Sequence, residues 1–237
     1  MALAVGTGAA GFAGRTAERA LLGRTLDAAA GGSPGVVVIR GEAGIGKTRL
    51  VAQAVRDARE FTVLWGSCLQ LDTLALPYLP FVGALEARLE QAAASDRDRL
   101  LEAVPGLRDV LPSLGAAGPP GSEGVPATFV RALAHVASVG PTVLVVDDVQ
   151  WADAASLDVL AYAVAGLRAQ RLAVLLTLRT DQLAEGDRLH GWLADLRRLP
   201  SVAEIDLPRM GADDTAALLT TLLGRPPGVE LVVDVLR

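Results

Sequence analysis

The sequence lacks the features that mark secreted, membrane and nucleic-acid-binding chains. Its one cysteine, Cys68, excludes an internal disulfide and suits a reducing cytosol. No apolar run approaches the roughly 18 residues of a membrane-spanning helix, and residues 1–14 lack the basic start of a secretory signal. The net charge is −5 without any basic block, which argues against direct contact with DNA. We therefore expect a cytoplasmic protein that does not contact a membrane.

Lysine is also nearly absent, and the single lysine occupies an informative position. Lys47 lies in the octapeptide 41–48, which fits the phosphate-binding P-loop pattern G-x-x-x-x-G-K-S/T. Every other long cationic side chain is arginine. Arginine is a poor substitute in such a loop, because its planar guanidinium cannot act as a compact point charge between phosphates. The sequence therefore predicts a polyphosphate site around Lys47.

The loop would bind phosphates mainly through its backbone. Its glycines allow positive φ and a close approach to the ligand, and successive N–H groups would form an anion nest. The helix that begins near Lys47 would add the positive end of its dipole. Lys47 would reach the β- and γ-phosphates, and Thr48 would offer its hydroxyl to Mg²⁺. The predicted nucleotide-binding residues of the loop are Gly41, Glu42, Ala43, Gly44, Ile45, Gly46, Lys47, Thr48 and Arg49.

The segments around the loop predict an α/β P-loop NTPase fold. β-Branched and apolar runs alternate with segments of helical spacing, which is typical of a parallel sheet flanked by helices. The predicted strands are 36–40, 61–65, 143–146, 172–178 and 203–207. The predicted helices are 17–30, 48–60, 80–94, 96–104, 127–139, 154–168, 187–198, 212–223 and 228–237. We therefore expect a five-stranded parallel sheet.

The domain organisation follows from the spacing of these elements. Residues 12–208 would form the ATPase core, with a helical insertion at 67–142 between the second and third strands. Residues 1–11 would be a flexible lead-in, and a Pro/Gly-rich loop at 115–126 is a further mobile candidate. Residues 209–237 would be the start of a truncated helical lid.

A Walker B pattern follows the third predicted strand. Four apolar residues at 143–146 precede Asp147 and Asp148. Ligands of open α/β sheets bind at the carboxyl ends of the strands, so the first acid would face the nucleotide. Asp147 would hold Mg²⁺ through water, and Asp148 would orient or activate the attacking water. The assignment of the two roles stays open between these acids.

A third candidate residue ends the fourth predicted strand. Arg179 follows the apolar run at 172–178 and would lie beside the end of the Walker B strand. From there it could contact the γ-phosphate, and the alternative is a solvated arginine at a strand end. The candidate catalytic residues are therefore Lys47, Asp148 and Arg179.

Four motifs together resemble the STAND-type AAA ATPase domain at the front of large LuxR-type transcriptional regulators. Residues 12–18 resemble the opening F-x-G-R-x-x-E of that family, and 41–50 resemble its P-loop. Residues 147–153 resemble its D-D-L/V-H/Q-W-A-D block, and 178–180 match its strand-four arginine. The block at 147–153 is the most specific, because simple Walker B sites lack the tryptophan and the final aspartate. The resemblance extends from residue 12 to the end of the chain.

The resemblance implies more than the spacing alone. It implies ATP and ADP as ligands, places Gly14 and Arg15 near the adenine, and makes Arg179 a γ-phosphate sensor. Trp151 and Asp153 would be supporting or packing residues. It also implies a weak ATPase that works as a switch, with self-association on ATP binding. The family continues with a G-N-P lid segment, helical repeats and a DNA-binding helix-turn-helix, so we expect this chain to be a fragment that reaches DNA only through an absent domain.

Two alternative functions remain open at this point. An oligomeric ATPase with fast turnover would need an arginine from a neighbouring subunit, for which Arg188, Arg197 and Arg198 are candidates. A regulatory ATPase domain of a cyclase or kinase would carry the same motifs. His135 and His190 are expected to be surface or helix residues without a catalytic role, and Cys68 is expected to be a buried small residue.

Overall fold

A five-stranded parallel sheet forms the centre of the protein, as the sequence predicts. The computed structural model describes residues 13–70, 77–115, 124–181 and 188–236. The strands are β1 Gly35–Gly41, β2 Thr62–Ser67, β3 Thr142–Asp147, β4 Leu172–Arg179 and β5 Val202–Asp206. Their order across the sheet is β2-β3-β4-β1-β5, and every pairing is parallel. All carboxyl ends therefore meet at one edge, which we call the carboxyl edge.

Helices cover both faces of this sheet. They are α1 Thr16–Ala30, α2 Lys47–Asp57, α3 Leu79–Gln91, α4 Ala94–Ala103, α5 Leu107–Val110, α6 Val125–Val139, α7 Ala154–Ala165, α8 Arg188–Leu196, α9 Ala212–Leu223 and α10 Val229–Leu236. Short 3-10 turns lie at Pro112–Leu114 and Val149–Trp151. The sequence predicted neither these turns nor the four-residue helix α5. The predicted lead-in at 1–11 and most of the Pro/Gly-rich loop, 116–123, lie outside the described residues.

The core divides into two layers because successive side chains of a strand point to opposite faces. Val37 and Ile39 of β1 pack with α1 and α2 on one face. Val36 and Val38 pack on the other face, together with apolar residues of α3 to α8. The helices between β2 and β3 therefore all contribute to one layer, where Phe81 of α3 and Phe129 of α6 are fully buried.

The strand ends differ from prediction at β2, which continues through Gly66 to Ser67. A Cβ on Gly66 would lie only 2.0 Å from the carbonyl oxygen of Pro80. The absence of a side chain lets the start of α3 pack directly on the strand. Ser67 consequently pairs with Asp147 at the carboxyl edge.

The last two helices, α9 and α10, pack on each other. Gly14 contacts α9, because a Cβ on Gly14 would lie 2.6 Å from Oδ1 of Asp214. Several apolar side chains of this pair are exposed, including Leu222, Val229 and Val235. In the described part of the chain, no helix is both long enough and apolar enough to cross a membrane.

Candidate nucleotide-binding site

The P-loop connects the end of β1 to the start of α2. Gly44 and Gly46 adopt positive φ values of 73° and 100°, a conformation that costs other residues energy. Gly41 approaches the chain after β5, since a Cβ there would lie 2.8 Å from the carbonyl oxygen of Leu207. The loop is exposed from Glu42 to Gly44, and its N–H groups lead into the amino end of α2. This is the geometry that presents backbone donors to an anion.

Lys47 is buried in spite of its charge and is only 6% exposed. Its ammonium donates to the carbonyl oxygens of Gly41, at 2.9 Å, and Glu42, at 2.8 Å. Burial lowers the pKa of Lys47, while the nearby carboxylate of Asp148 opposes that shift. The ammonium therefore rests on neutral acceptors of its own loop, and an anionic phosphate would be a stronger partner.

Asp147, at the end of β3, accepts hydrogen bonds from two threonines. The Thr48 hydroxyl lies 3.0 Å from both carboxylate oxygens, and the Thr177 hydroxyl donates to Oδ1 at 2.5 Å. Burial raises the pKa of Asp147, although both hydroxyl donors act in the opposite direction. Thr48 of the P-loop and Asp147 of the Walker B motif are thus brought into direct contact.

This pair offers only oxygen atoms, which are the ligands that Mg²⁺ prefers. In the ranges that the structure describes, no three His, Cys, Asp or Glu side chains cluster into a metal site. That sparse protein contribution fits Mg²⁺, which keeps several waters and takes further ligands from the phosphates of its nucleotide. Thr48 and Asp147 therefore fit the metal that the P-loop fold implies.

Asp148 has a left-handed backbone, with φ 58° and ψ 51°. This conformation costs a non-glycine residue about 1 kcal/mol or more. It is held in place because the Asp148 N–H donates to the Thr177 hydroxyl at 2.8 Å. Thr177 thus links both aspartates. No motif in the sequence identified Thr177, although a lone threonine in the apolar run 172–178 was a signal that could have found it.

Arg179 lies against the Walker B turn rather than extending into solvent. Its Nε is 3.4 Å from Oδ1 of Asp148, and its guanidinium carbon lies 4.4 Å from the centroid of the Trp151 ring. Gln150 joins the same group, because it donates to Asp148 Oδ1 at 2.8 Å and accepts from the Arg179 N–H at 3.1 Å. Trp151 also packs against the larger apolar layer. We call Asp148, Gln150, Trp151 and Arg179 the arginine cluster.

Asp153 links the Walker B segment to the helices between β2 and β3. Its carboxylate caps α7 by accepting from the Ser156 N–H at 3.0 Å and the Ser156 hydroxyl at 2.5 Å. The second oxygen also accepts from the N–H of Tyr78 at 3.2 Å. Tyr78 itself has a positive φ of 64° just before α3. The aspartate thus fixes the entry of the chain into α3.

Gly14 and Arg15 lie away from the arginine cluster, near the chain that follows β5. Arg15 is 4% exposed, and its guanidinium donates to the carbonyl oxygen of Pro208 and to Glu18 at 3.4 Å. Pro208 lines a cavity of about 250 Å³ beside the P-loop. Arg209 closes one side of that cavity through an ion pair of 2.8 Å with Glu42.

Other residues considered in the sequence lie outside the arginine cluster. Arg188 pairs with Asp158 at 2.7 Å and Arg197 with Glu204 at 2.5 Å. His190 of α8 and Arg49 of α2 are exposed. Cys68 is buried as predicted, and burial together with the nearby aspartates raises its pKa to about 12. A thiol with such a pKa stays protonated and unreactive at neutral pH.

Comparisons with known proteins found similar folds and a matching family. Among solved structures, a signal transduction ATPase with numerous domains (STAND) with a tetratricopeptide repeat sensor, from Pyrococcus horikoshii, is similar at 19% identity and a TM-score of 0.53. The similarity covers 94% of this chain and 27% of that chain. A RuvB variant from Thermotoga maritima matches at 15% identity and a TM-score of 0.46, covering 90% of this chain and 51% of that one. This chain thus spans about a quarter of the STAND protein's length.

A comparison with curated protein sequences gave no significant match. The family of AAA ATPase domains matches residues 11–178, which include the P-loop, both Walker B aspartates and nearly all of β4. That range is well over half of the chain. The chain therefore belongs to the AAA ATPase domain family.

Proposed function

We propose that this chain binds ATP with Mg²⁺ and works as a slowly hydrolysing switch in signal transduction. The observation that carries this proposal is the convergence of the P-loop, the Walker B acids and Arg179 at the carboxyl edge. The charges of Asp148, Arg179 and Asp147 all act on the Lys47 ammonium, so the four groups share one electrostatic site. A γ-phosphate placed there would lie beside both the two cationic side chains and the two carboxylates.

Each residue would have a separate role. Lys47 would leave its loop carbonyls and donate to the β- and γ-phosphates. Thr48 and Asp147 would hold the Mg²⁺, which neutralises charge on the phosphate oxygens when it is bound. Asp148 would orient the attacking water, because its carboxylate is partly exposed and its backbone is fixed by Thr177. Gly14 and Arg15 would lie near the adenine.

The arginine cluster would be the switching element. In the structure, the Arg179 guanidinium contacts the Asp148 carboxylate and the Trp151 ring. A γ-phosphate would compete for that guanidinium and free the Asp148 carboxylate, whereas ADP offers no such group. A ligand shifts a conformational equilibrium only by its difference in affinity for the two states. Arg179 would supply that difference.

The resemblance of the 147–153 block extends the proposal to the intact protein. We infer the ATPase domain of a LuxR-type transcriptional regulator in the cytoplasm, which self-associates on binding ATP. DNA contact would come from a domain outside this chain. The fold similarity to a STAND protein is compatible with this assignment.

A fast oligomeric ATPase is the second candidate, and the structure narrows its requirements. Arg188 and Arg197 already make ion pairs within the chain. Of the three candidate arginines, Arg198 alone is exposed without an ion pair to the described residues. Fast turnover would therefore depend mainly on Arg198 acting on a neighbouring subunit.

Sedimentation and hydrolysis measurements separate these two functions. The switch predicts larger assemblies with Mg²⁺-ATP than with Mg²⁺-ADP, and slow hydrolysis that does not accelerate with protein concentration. Under this proposal Arg198→Ala, like the control Arg188→Ala, leaves hydrolysis unchanged. Equal assembly with both nucleotides would contradict the switch, and a rate that rises with concentration and falls only in Arg198→Ala would establish the turnover enzyme.

A further inference from the structure

A second cavity lies at the opposite edge of the sheet from the P-loop. It has a volume of about 80 Å³ and lies between the start of β2 and the helices α3, α4 and α6. Thr62, the first residue of β2, lines it. Because Thr62 pairs with Thr142, the first residue of β3, the cavity lies at the amino ends of the strands. It is therefore separate from the nucleotide site.

The lining of this cavity combines an apolar interior with an excess of positive charge. Leu89, Leu100 and Val136 are buried side chains that form its walls. The charged lining residues are Arg88, Arg97, Arg99 and Asp96, and the His135 imidazole lines the cavity with them. The single acid pairs with Arg99 at 3.3 Å, and so its charge is already compensated. This balance is opposite to that of the whole chain, whose net charge is −5.

Three side chains that line the cavity have donors without a partner among the described residues. Nε of Arg88 is buried and makes no hydrogen bond within that part of the chain. Among the described residues, the Arg97 guanidinium and the His135 imidazole also have no hydrogen bond or ion pair. A buried donor without an acceptor destabilises the folded state, so an acceptor supplied by a ligand would remove that cost at Nε of Arg88.

The position of Arg88 in the last turn of α3 offers a simpler explanation of its presence. A cation there interacts favourably with the negative end of the helix dipole. That interaction accounts for a positive charge near the helix end. It does not explain why Nε is buried without an acceptor, nor why Arg97 of α4 and His135 of α6 line the same cavity.

We propose that this cavity binds a small carboxylate with an apolar body. The carboxylate would accept from Arg88 and Arg97, because a guanidinium fork matches the two oxygens of that group. The apolar body would contact Leu89, Leu100 and Val136. A cavity of about 80 Å³ exceeds the space of one water several-fold, which limits the body to a single ring or a short chain. An inorganic anion would leave the apolar walls unfilled.

Benzoate is a suitable probe, with benzamide and inorganic phosphate as matched controls. Titration of the ¹⁵N-labelled chain should shift the amide signals of residues 88–100 and 135–139 with benzoate. Benzamide keeps the ring without the charge, and phosphate keeps the charge without the ring. Neither should bind comparably. Equal shifts with benzamide, or no shift at millimolar benzoate, would overturn the proposal.

Variants then assign the binding to the arginines. Arg88→Met keeps the length of the side chain and should weaken benzoate binding roughly tenfold or more. Arg97→Met, at an exposed position, should weaken it as well and provides the test if Arg88→Met does not fold. Arg108→Met is the control, since Arg108 is exposed in the same region and does not line the cavity. Unchanged affinity in the folded Arg88→Met and Arg97→Met proteins, or in Arg97→Met if Arg88→Met does not fold, would overturn the proposal.

Discussion

The interior of the sheet and its carboxyl edge are built on opposite principles. All six residues of β3 are buried, and the interior positions of β3 and β4 are almost entirely valine, leucine and alanine. At the carboxyl edge the chain instead buries Lys47 and Asp147, and holds Asp148 in a left-handed conformation. The interior gains stability from burial, whereas the edge gives up stability for a charged site. Mutations in the two regions should therefore affect different measurements.

The largest expected effect is a loss of stability from the interior. Leu175 of β4 is fully buried between α1, α2 and the neighbouring strands. Leu175→Ala should lower the free energy of unfolding by roughly 2–5 kcal/mol, because it leaves a cavity. The affinity of the folded protein for ATP should not change. Urea unfolding and calorimetric titration would measure the two quantities, with Leu175→Ile as the milder control. A large loss of ATP affinity in Leu175→Ala would show that the sheet interior and the carboxyl edge do not affect separate measurements.

At the carboxyl edge, the converse result is expected. Lys47→Ala should weaken ATP binding by roughly 2–4 kcal/mol, because it removes charge-assisted hydrogen bonds to the phosphates. Without nucleotide, Lys47→Ala should keep the free energy of unfolding of the wild type, since the Lys47 ammonium is desolvated in the folded state. Arg56→Ala, an exposed change on the same helix, is the control. If calorimetric titration gave equal ATP affinities for Lys47→Ala and Arg56→Ala, Lys47 would not belong to the phosphate site.

Cys68 tests the electrostatic character of the same edge. Its thiol, just after β2, has its pKa raised from 9.0 to about 12 by burial and by Asp153, Asp148 and Asp147. Between pH 9.0 and about pH 12, the unfolded chain loses the thiol proton while the folded chain keeps it. Stability should therefore fall as pH rises above 9, by up to about 1.4 kcal/mol per pH unit from this group.

The comparison of wild type with Cys68→Ala isolates that contribution, because other groups titrate equally in both proteins. Urea unfolding at intervals from pH 8 upward would measure it. Parallel stability curves for the two proteins would show that Cys68 is more solvated than its 2% exposure indicates.

The smallest expected effect is a gain of stability from a change at the candidate metal-binding residue Asp147. Burial raises the pKa of Asp147, so its carboxylate disfavours the folded state at neutral pH. Asp147→Asn should stabilise the nucleotide-free protein by roughly 1 kcal/mol. The gain should disappear at low pH, where the wild-type carboxyl is itself protonated. Urea unfolding at neutral pH and at low pH would measure this difference in stability. The exposed change Asp98→Asn should have no such effect.

The sequence predicted the sheet well because its strands are local apolar runs. The runs at 143–146 and 172–178 differ from observed β3 and β4 by one residue at their ends. The contact between Thr48 and Asp147 was implied by two motifs that must share one ligand. By contrast, Thr177 and Gln150 act through contacts across strands, and no spacing in the sequence specifies those contacts. The bond from Tyr78 to Asp153 spans 75 residues and was invisible for the same reason.

In the proposed switch, Arg179 lets the carboxyl edge distinguish ATP from ADP. Calorimetric titration of both nucleotides, with Mg²⁺, into wild type and Arg179→Gln tests it directly. The wild type should bind the two nucleotides with different affinities, and Arg179→Gln should lose most of that difference while still binding ADP as the wild type does. An unchanged ratio of affinities in Arg179→Gln would show that Arg179 does not distinguish the two nucleotides.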